Sequence, residues 1–261
     1  MRGWPVPVET TQFKSAVRRT ATIAIVCAGL AGCATSSPDA DITGVNDPYE
    51  NVNRSVHDFN RGVDRRVYRP VANAYGVVFP KLAREGVANF SNNAGIPGQV
   101  VNNVLQGEVE NTVHNTFRFL INSTLGVVGI FDPATSIGLE RRDTDFGETL
   151  HVWGVGEGAY VALPFLGPST QRDVAGDVFD FFLNPLSAVT AGPESYLPTG
   201  AWVLENAGDR YEFSNSVDSV LYGSSDSYAQ TRQIYLENRR FELGDTEQDS
   251  YIDPYEELYN E

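Results

Sequence analysis

The sequence predicts an all-α fold in a single domain, and three observations carry that reading. Between Asn46 and Leu243 apolar residues recur mostly at helical spacing. Strand-like alternation is scarce, with Tyr160 to Leu163 the best short candidate. Proline or glycine stands at nearly every junction between the periodic segments.

The first helix is the clearest. Asp47 can cap it, Pro48 fits its first position, and Glu50 sits where a capping-box acid reaches back. Val52, Val56, Phe59, Val63 and Val67 then recur at steps of three and four, one apolar stripe with Arg54, Arg61 and Arg65 off it. Pro70 is expected to end or kink this helix. Further helices are expected near 72–79, 81–92, 98–105, 108–124, 145–152, 170–183, 200–221 and 226–241. The stretch Phe117 to Phe131 is apolar on most sides yet contains Arg118, Asn122 and Ser123. At 15 residues it is too short to span a bilayer, which needs about 20, and it fits either one leaflet or the core of a soluble domain.

The ends of the chain differ from its body. Lys14, Arg18 and Arg19 precede the apolar run Ala21 to Leu30, which ends in Leu30-Ala31-Gly32-Cys33. This reads as a secretory signal over residues 1–32, and Leu-Ala-Gly-Cys matches the bacterial lipobox, so Cys33 is expected to become a lipidated N-terminus. The alternative is an ordinary signal peptide with Cys33 left free. Three acyl chains exceed the two signals that stable anchoring requires, and Ala34 favours delivery to the outer membrane. Residues 33–45 are small and polar and read as the lipidated cysteine plus a flexible tether, with a reach of at most about 40 Å. The domain is expected over 46–243. Residues 244–261 read as an acidic, disordered tail, because no basic residue follows Arg240.

Charge and chemistry exclude several functions. Loss of residues 1–32 removes four basic residues and one acid, leaving 15 basic against 33 acidic residues, a net charge of −18. Nucleic acid is a poor partner for such a surface. No G-x-S-x-G elbow, H-E-x-x-H, Walker loop or dinucleotide fingerprint stands in its proper context, so no catalytic residue is assigned. His57, His114 and His151 are isolated in sequence, and no metal or cofactor is expected. Gly154, Gly156 and Gly158 alternate without phosphate-loop spacing, which points to flexibility or close backbone contact.

In order along the chain stand Asp47-Pro48 with Asn53-Arg54, Phe59-Asn60, Asp64, Pro70, Asn89-Phe90, Asn102 with Leu105-Gln106-Gly107, Arg118-Phe119 with Asn122, and Phe131-Asp132. Phe146-Gly147, Thr149-Leu150, Gly154-Val155-Gly156, Gly158, Tyr160, Leu163-Pro164, Gly167, Arg172-Asp173 and Gly176-Asp177 follow. Together these residues resemble the MlaA/VacJ outer-membrane lipoproteins, from Asp47 to about Arg240. The resemblance implies a ring of short helices in the inner leaflet of the outer membrane, enclosing an amphipathic channel. Phospholipids that have strayed into the outer leaflet would descend through it to a periplasmic lipid-shuttle protein of the Mla system. A trimeric porin is the implied lateral partner.

Within that picture Arg118 and Asn122, four apart, would serve the channel, or else Arg118 is a buried arginine paired to an acid. Arg172 would serve phospholipid headgroups, or bond nearby carbonyls and carboxylates. Gly154, Gly156, Gly158 and Tyr160 would form a movable gate, with Trp153 and Tyr160 as rings at the lipid interface. The other reading is that these glycines only permit close helix packing. The rival functions are a structural or partner-binding lipoprotein that moves no lipid, and a periplasmic hydrolase.

Overall fold

The computed structural model describes residues 45–183 and 193–244. Helices dominate, as expected, and the one strand candidate is a strand. In chain order these are α1 (Glu50–Val63), a π-helical turn (Asp64–Tyr68), α2 (Arg69–Val78), α3 (Lys81–Gln106), α4 (Val109–Thr124), α5 (Pro133–Ser136) and α6 (Phe146–Val152). A hairpin of β1 (Tyr160–Leu163) and β2 (Gly167–Thr170) follows, then α7 (Gln171–Leu183). After a 3₁₀ turn (Pro193–Tyr196) come α8 (Leu197–Glu212), α9 (Ser214–Asp218), a second π-helical turn (Ser219–Gly223) and α10 (Ser227–Glu242). Among the described residues no helix is long and apolar enough to cross a membrane.

Several boundaries differ from expectation for identifiable reasons. Pro70 does not end a helix. It lies in the first turn of α2, and the π turn before it carries the chain through, the Arg69 N–H reaching back to the Asp64 carbonyl. Asp47 caps nothing. Its carboxylate instead accepts from Asn53 Nδ2 at 2.8 Å and Arg232 Nη1 at 2.6 Å, and from the Tyr228 hydroxyl, tying the domain's start to α10. The helices expected at 81–92 and 98–105 are one 26-residue helix with Pro97 inside it. Packing against α4 and α8 holds both halves in line. Val45, assigned above to the tether, is buried with Tyr160, Tyr228 and Leu236.

The inside of the fold is mostly polar. Amides on α3 recur at helical spacing and point inward. Asn93 donates to Ser123 Oγ at 3.0 Å, Gln99 to Asp143 at 2.8 Å, Asn102 to Asp180 at 2.7 Å, and Gln106 to Thr144 at 2.7 Å. Asn102, Asn103, Asn115, Thr149 and Thr170 are almost wholly buried, whereas the apolar clusters are small: the Val45 group, and Ala72 with Tyr75 and Ala207. Each buried amide needs partners, and this spine supplies most of them. Helix α7 approaches α6 so closely that a Cβ on Gly176 would lie 2.4 Å from the Gly147 nitrogen.

The hairpin is fixed to α1 by side chains that act as a third strand. Asn53 Nδ2 donates to the Tyr160 carbonyl at 3.1 Å while its Oδ1 accepts from the Ala162 N–H at 2.9 Å. Two helical turns on, Asn60 does the same with the Leu163 carbonyl and the Phe165 N–H, both at 2.8 Å. The free edge of β1 is thus closed.

Candidate functional site

The apolar stripes face outward. The expected stripe is exposed at Val52 and Phe59 on α1 and at Val67 on the π-helical turn after it, and the buried positions are Asn53 and His57, with Asp64 beyond them. On α4 the buried residues are Asn115, Arg118 and Asn122, while Phe117 and Leu120 are about half exposed. The segment Phe117 to Phe131 is therefore not a core helix. Helix α4 ends at Thr124, and a knot of turns follows in which Val127 and Val128 take positive φ angles of 53° and 60° with exposed side chains. Exposure reaches 76% at Val77, 74% at Phe165 and 75% at Phe181. So much exposed apolar surface marks an interaction surface.

Of the cavities among the described residues, two bear on the expected channel and its polar residues. The larger, about 620 Å³, lies between α1, the first π turn, the hairpin, α8 and α10. Its wall mixes His57, Asn60, Arg61 and Asp64 with Val67, Phe165, Leu166 and Trp202. It is amphipathic, with the volume typical of ligand sites. Burial and the Arg61 charge push the His57 imidazole below its usual range, and His57 Nε2 lies 2.9 Å from Ser227 Oγ. Burial opposes the Asp64 charge, but Arg210 at 2.8 and 2.9 Å and the Tyr222 hydroxyl at 2.6 Å outweigh it and hold the carboxylate below its usual range.

The smaller cavity, about 110 Å³, is lined almost entirely by polar groups: Asn89, Asn92, Asn93, Gln99, Arg118, Asn122, Asp132, Arg141 and Asp143, with Ile96. Arg118 and Asn122 meet here, as their spacing implied, and both bind Asp132. Arg118 Nη2 lies 3.1 Å from Asp132 Oδ2, and Asn122 Nδ2 donates to Oδ1 at 2.9 Å. Arg118 also donates to Thr135 and to the Leu139 carbonyl. Burial works against the Asp132 charge, yet the Thr135 hydroxyl and N–H, Asn122 and Arg118 together hold it below its usual range. This is the buried arginine paired to an acid.

Arg172 is likewise internal. Its guanidinium lies 3.3 Å from His151 Nδ1 and 3.7 Å from Asp173, and donates to the Val155 carbonyl at 3.4 Å. Through the Val155 carbonyl it is tied to the base of the glycine stretch. Gly154 and Gly158 have φ of 86° and 73°, which only glycine adopts without strain. A Cβ at Gly154 or Gly156 would meet nothing within 4 Å, so close helix packing does not explain those two; Gly158 does abut Gln171. Trp153 is exposed, but Tyr160 is not an interfacial ring. At 2% exposure it lies between Tyr228 and Tyr235, because the first residue of β1 points into the cluster those two tyrosines form with Val45 and Leu236. Cys33 lies outside the described residues, as do residues 33–44 of the tether and 245–261 of the acidic tail.

Sequence analysis assigned no site role to His57, Asn60 or Asp64, the polar wall of the large cavity. The usable signal was their three- and four-residue spacing opposite a stripe of valines.

The family model described as MlaA lipoprotein matches residues 45–242. The chain belongs to the MlaA lipoprotein family. Among MlaA relatives, the intermembrane phospholipid transport system lipoprotein MlaA of Escherichia coli K12 is 39% identical over 228 residues, covering 85% of this chain and 88% of the relative. The protein of the same name from Haemophilus influenzae is 30% identical, covering 83% and 86%. A solved structure, reported as the structural basis for maintenance of bacterial outer membrane lipid asymmetry, superposes with a TM-score of 0.66 at 36% identity. It covers 76% of this chain and 98% of that one.

Proposed function

We propose that this MlaA-family chain is an outer-membrane lipoprotein that removes phospholipids mislocalised to the outer leaflet. The single observation that carries the reading is the inverted polarity: amides and ion pairs inside, valines and phenylalanines outside, around a cavity with both polar and apolar wall. A helix bathed in lipid on one side and facing a wet passage on the other needs this distribution. The relatives named for phospholipid transport support it.

In this reading the helices form a ring in the inner leaflet, and the 620 Å³ cavity is part of its channel. Phospholipid descends through it to a periplasmic shuttle protein, and a trimeric porin flanks the ring. Residues 1–32 are the signal, Cys33 carries the acyl chains, residues up to 44 are the tether, and the acidic tail follows the domain. Arg118, Asn122 and Arg172 shape the passage from behind its wall, and Gly154 to Gly158 form the gate.

The test is loss of the gene, with outer-leaflet phospholipid measured on intact cells. Accumulation that wild type reverses and Cys33→Ser does not is expected. A deletion strain with a normal outer leaflet would leave the purely structural lipoprotein as the better reading.

A further inference from the structure

We propose that Arg65 and Arg66 form a binding site for the phosphodiester of a bilayer phospholipid at the rim of the ring. In a chain this acidic nearly every arginine has an acid to pair with: Arg54 binds Glu50 and Asp226, Arg61 binds Asp58, and Arg69 binds Asp218. Arg65 and Arg66 are exposed, adjacent, and have no ion-pair partner among the described residues. Arg65 is also pre-oriented. Its guanidinium lies 4.6 Å from the centroid of the Tyr222 ring, and that ring is fixed by its hydroxyl on Asp64, which Arg210 holds in turn. A stacked guanidinium keeps its N–H edge free, and that edge fits two phosphate oxygens.

The neighbouring surface says where the phosphate comes from. Val67, Val71, Ala74 and Val78 are all exposed at steps of four, three and four, an apolar stripe that starts beside Arg66. From Arg66 to Val78 the helix rises about 18 Å, close to the roughly 15 Å of half a hydrocarbon core. With the stripe among acyl chains, the two guanidinium groups lie at headgroup level, as in interfacial helices with arginine beside an apolar face. The site thus rests on the membrane placement proposed above, and, since Val67 and Val71 also line the large cavity, it adds a headgroup contact at the rim where that cavity meets the bilayer.

The full lipidated chain in detergent micelles is titrated calorimetrically with short-chain phosphatidylglycerol, and separately with inorganic phosphate. Arg65→Gln/Arg66→Gln is expected to weaken phosphatidylglycerol binding roughly tenfold, the effect of charge-assisted hydrogen bonds lost from a partly screened surface. Arg54→Gln/Arg142→Gln, an equal charge loss at arginines that already have acid partners, should leave it near wild type. Equal binding by the Arg65/Arg66 variant, or an equal loss in the Arg54/Arg142 variant, overturns the site. Inorganic phosphate binding as tightly as the lipid overturns the lipid as its source. Failure of the transport reading shows independently, as a normal outer leaflet in the deletion strain.

Discussion

Arg118 shows how a charge is kept inside this fold. The residue is 4% exposed, and its guanidinium is neutralised by Asp132, which also caps α5 through the Thr135 N–H at 3.1 Å. Arg118→Ala should cost roughly 2–4 kcal/mol, less than a fully buried pair would because Asp132 is partly open to water. Chemical denaturation in detergent measures it, and an unchanged midpoint with lost lipid clearance would put Arg118 on the lipid instead. Asp177 carries the opposite imbalance. Part of the residue is open to water, yet burial of the carboxylate, then Asp145, Asp173 and Asp180, push it up to about 6. The folded state therefore holds this proton more tightly than the unfolded chain, and stability falls as pH rises from near 4 through 6. Asp177→Asn should raise the melting temperature at pH 7 and change little at pH 4. A lower melting temperature at pH 7 would mean that the Asp177 charge stabilises the fold. The four-residue spacing of Arg118 and Asn122 was legible in the sequence. Their shared acid was not, because Asp132 lies across a knot of turns that no periodicity describes.

Among elements, those with a repeating apolar pattern were legible and those made by side-chain substitution for backbone were not. Strand β1 could be read from Tyr160 to Leu163, but β2, with Pro168 in it, has no strand signature and exists because β1 pairs with it. Asn53 and Asn60 complete that sheet from a helix. Asn53→Ala should speed amide hydrogen exchange at Ala162, and Asn60→Ala at Phe165, each at a stability cost of roughly 1–3 kcal/mol for the unpaired backbone groups. Fast exchange at both amides in either single variant would show instead that the hairpin detaches as one unit. The glycine stretch after α6 is anchored at its base by Arg172 and, through Glu157 at 2.7 Å, by Arg240, with Gly156 between open to solvent. Gly156→Pro should keep the wild-type melting temperature and membrane level, since no neighbour crowds that position, while slowing clearance of outer-leaflet phospholipid. Clearance at the wild-type rate in that variant and in a disulfide-bridged loop would remove the gate.

Across the whole molecule the decisive property is which side of each helix is apolar and which way it faces. Periodicity gave the stripes, but the usual assumption that a stripe faces the core was wrong for α1 and α4, because the interior is occupied by an amide spine and ion pairs. In water such a surface would associate, whereas in lipid it is the solvated face. The two environments make opposite statements about a charge placed there. At Val77 and Val78 on α2, exposed at 76% and 70%, a carboxylate in water would be nearly neutral for stability, while in hydrocarbon it costs up to about 2.5–3.5 kcal/mol. Val77→Asp and Val78→Asp should therefore melt like wild type in detergent micelles whose headgroups hydrate the carboxylate. In cells, the same variants should lose stable membrane residence and accumulate outer-leaflet phospholipid even with Cys33 acylated. Full clearance by both variants, at wild-type abundance, would mean that α2 faces water and that the lipid-facing surface lies elsewhere on the domain.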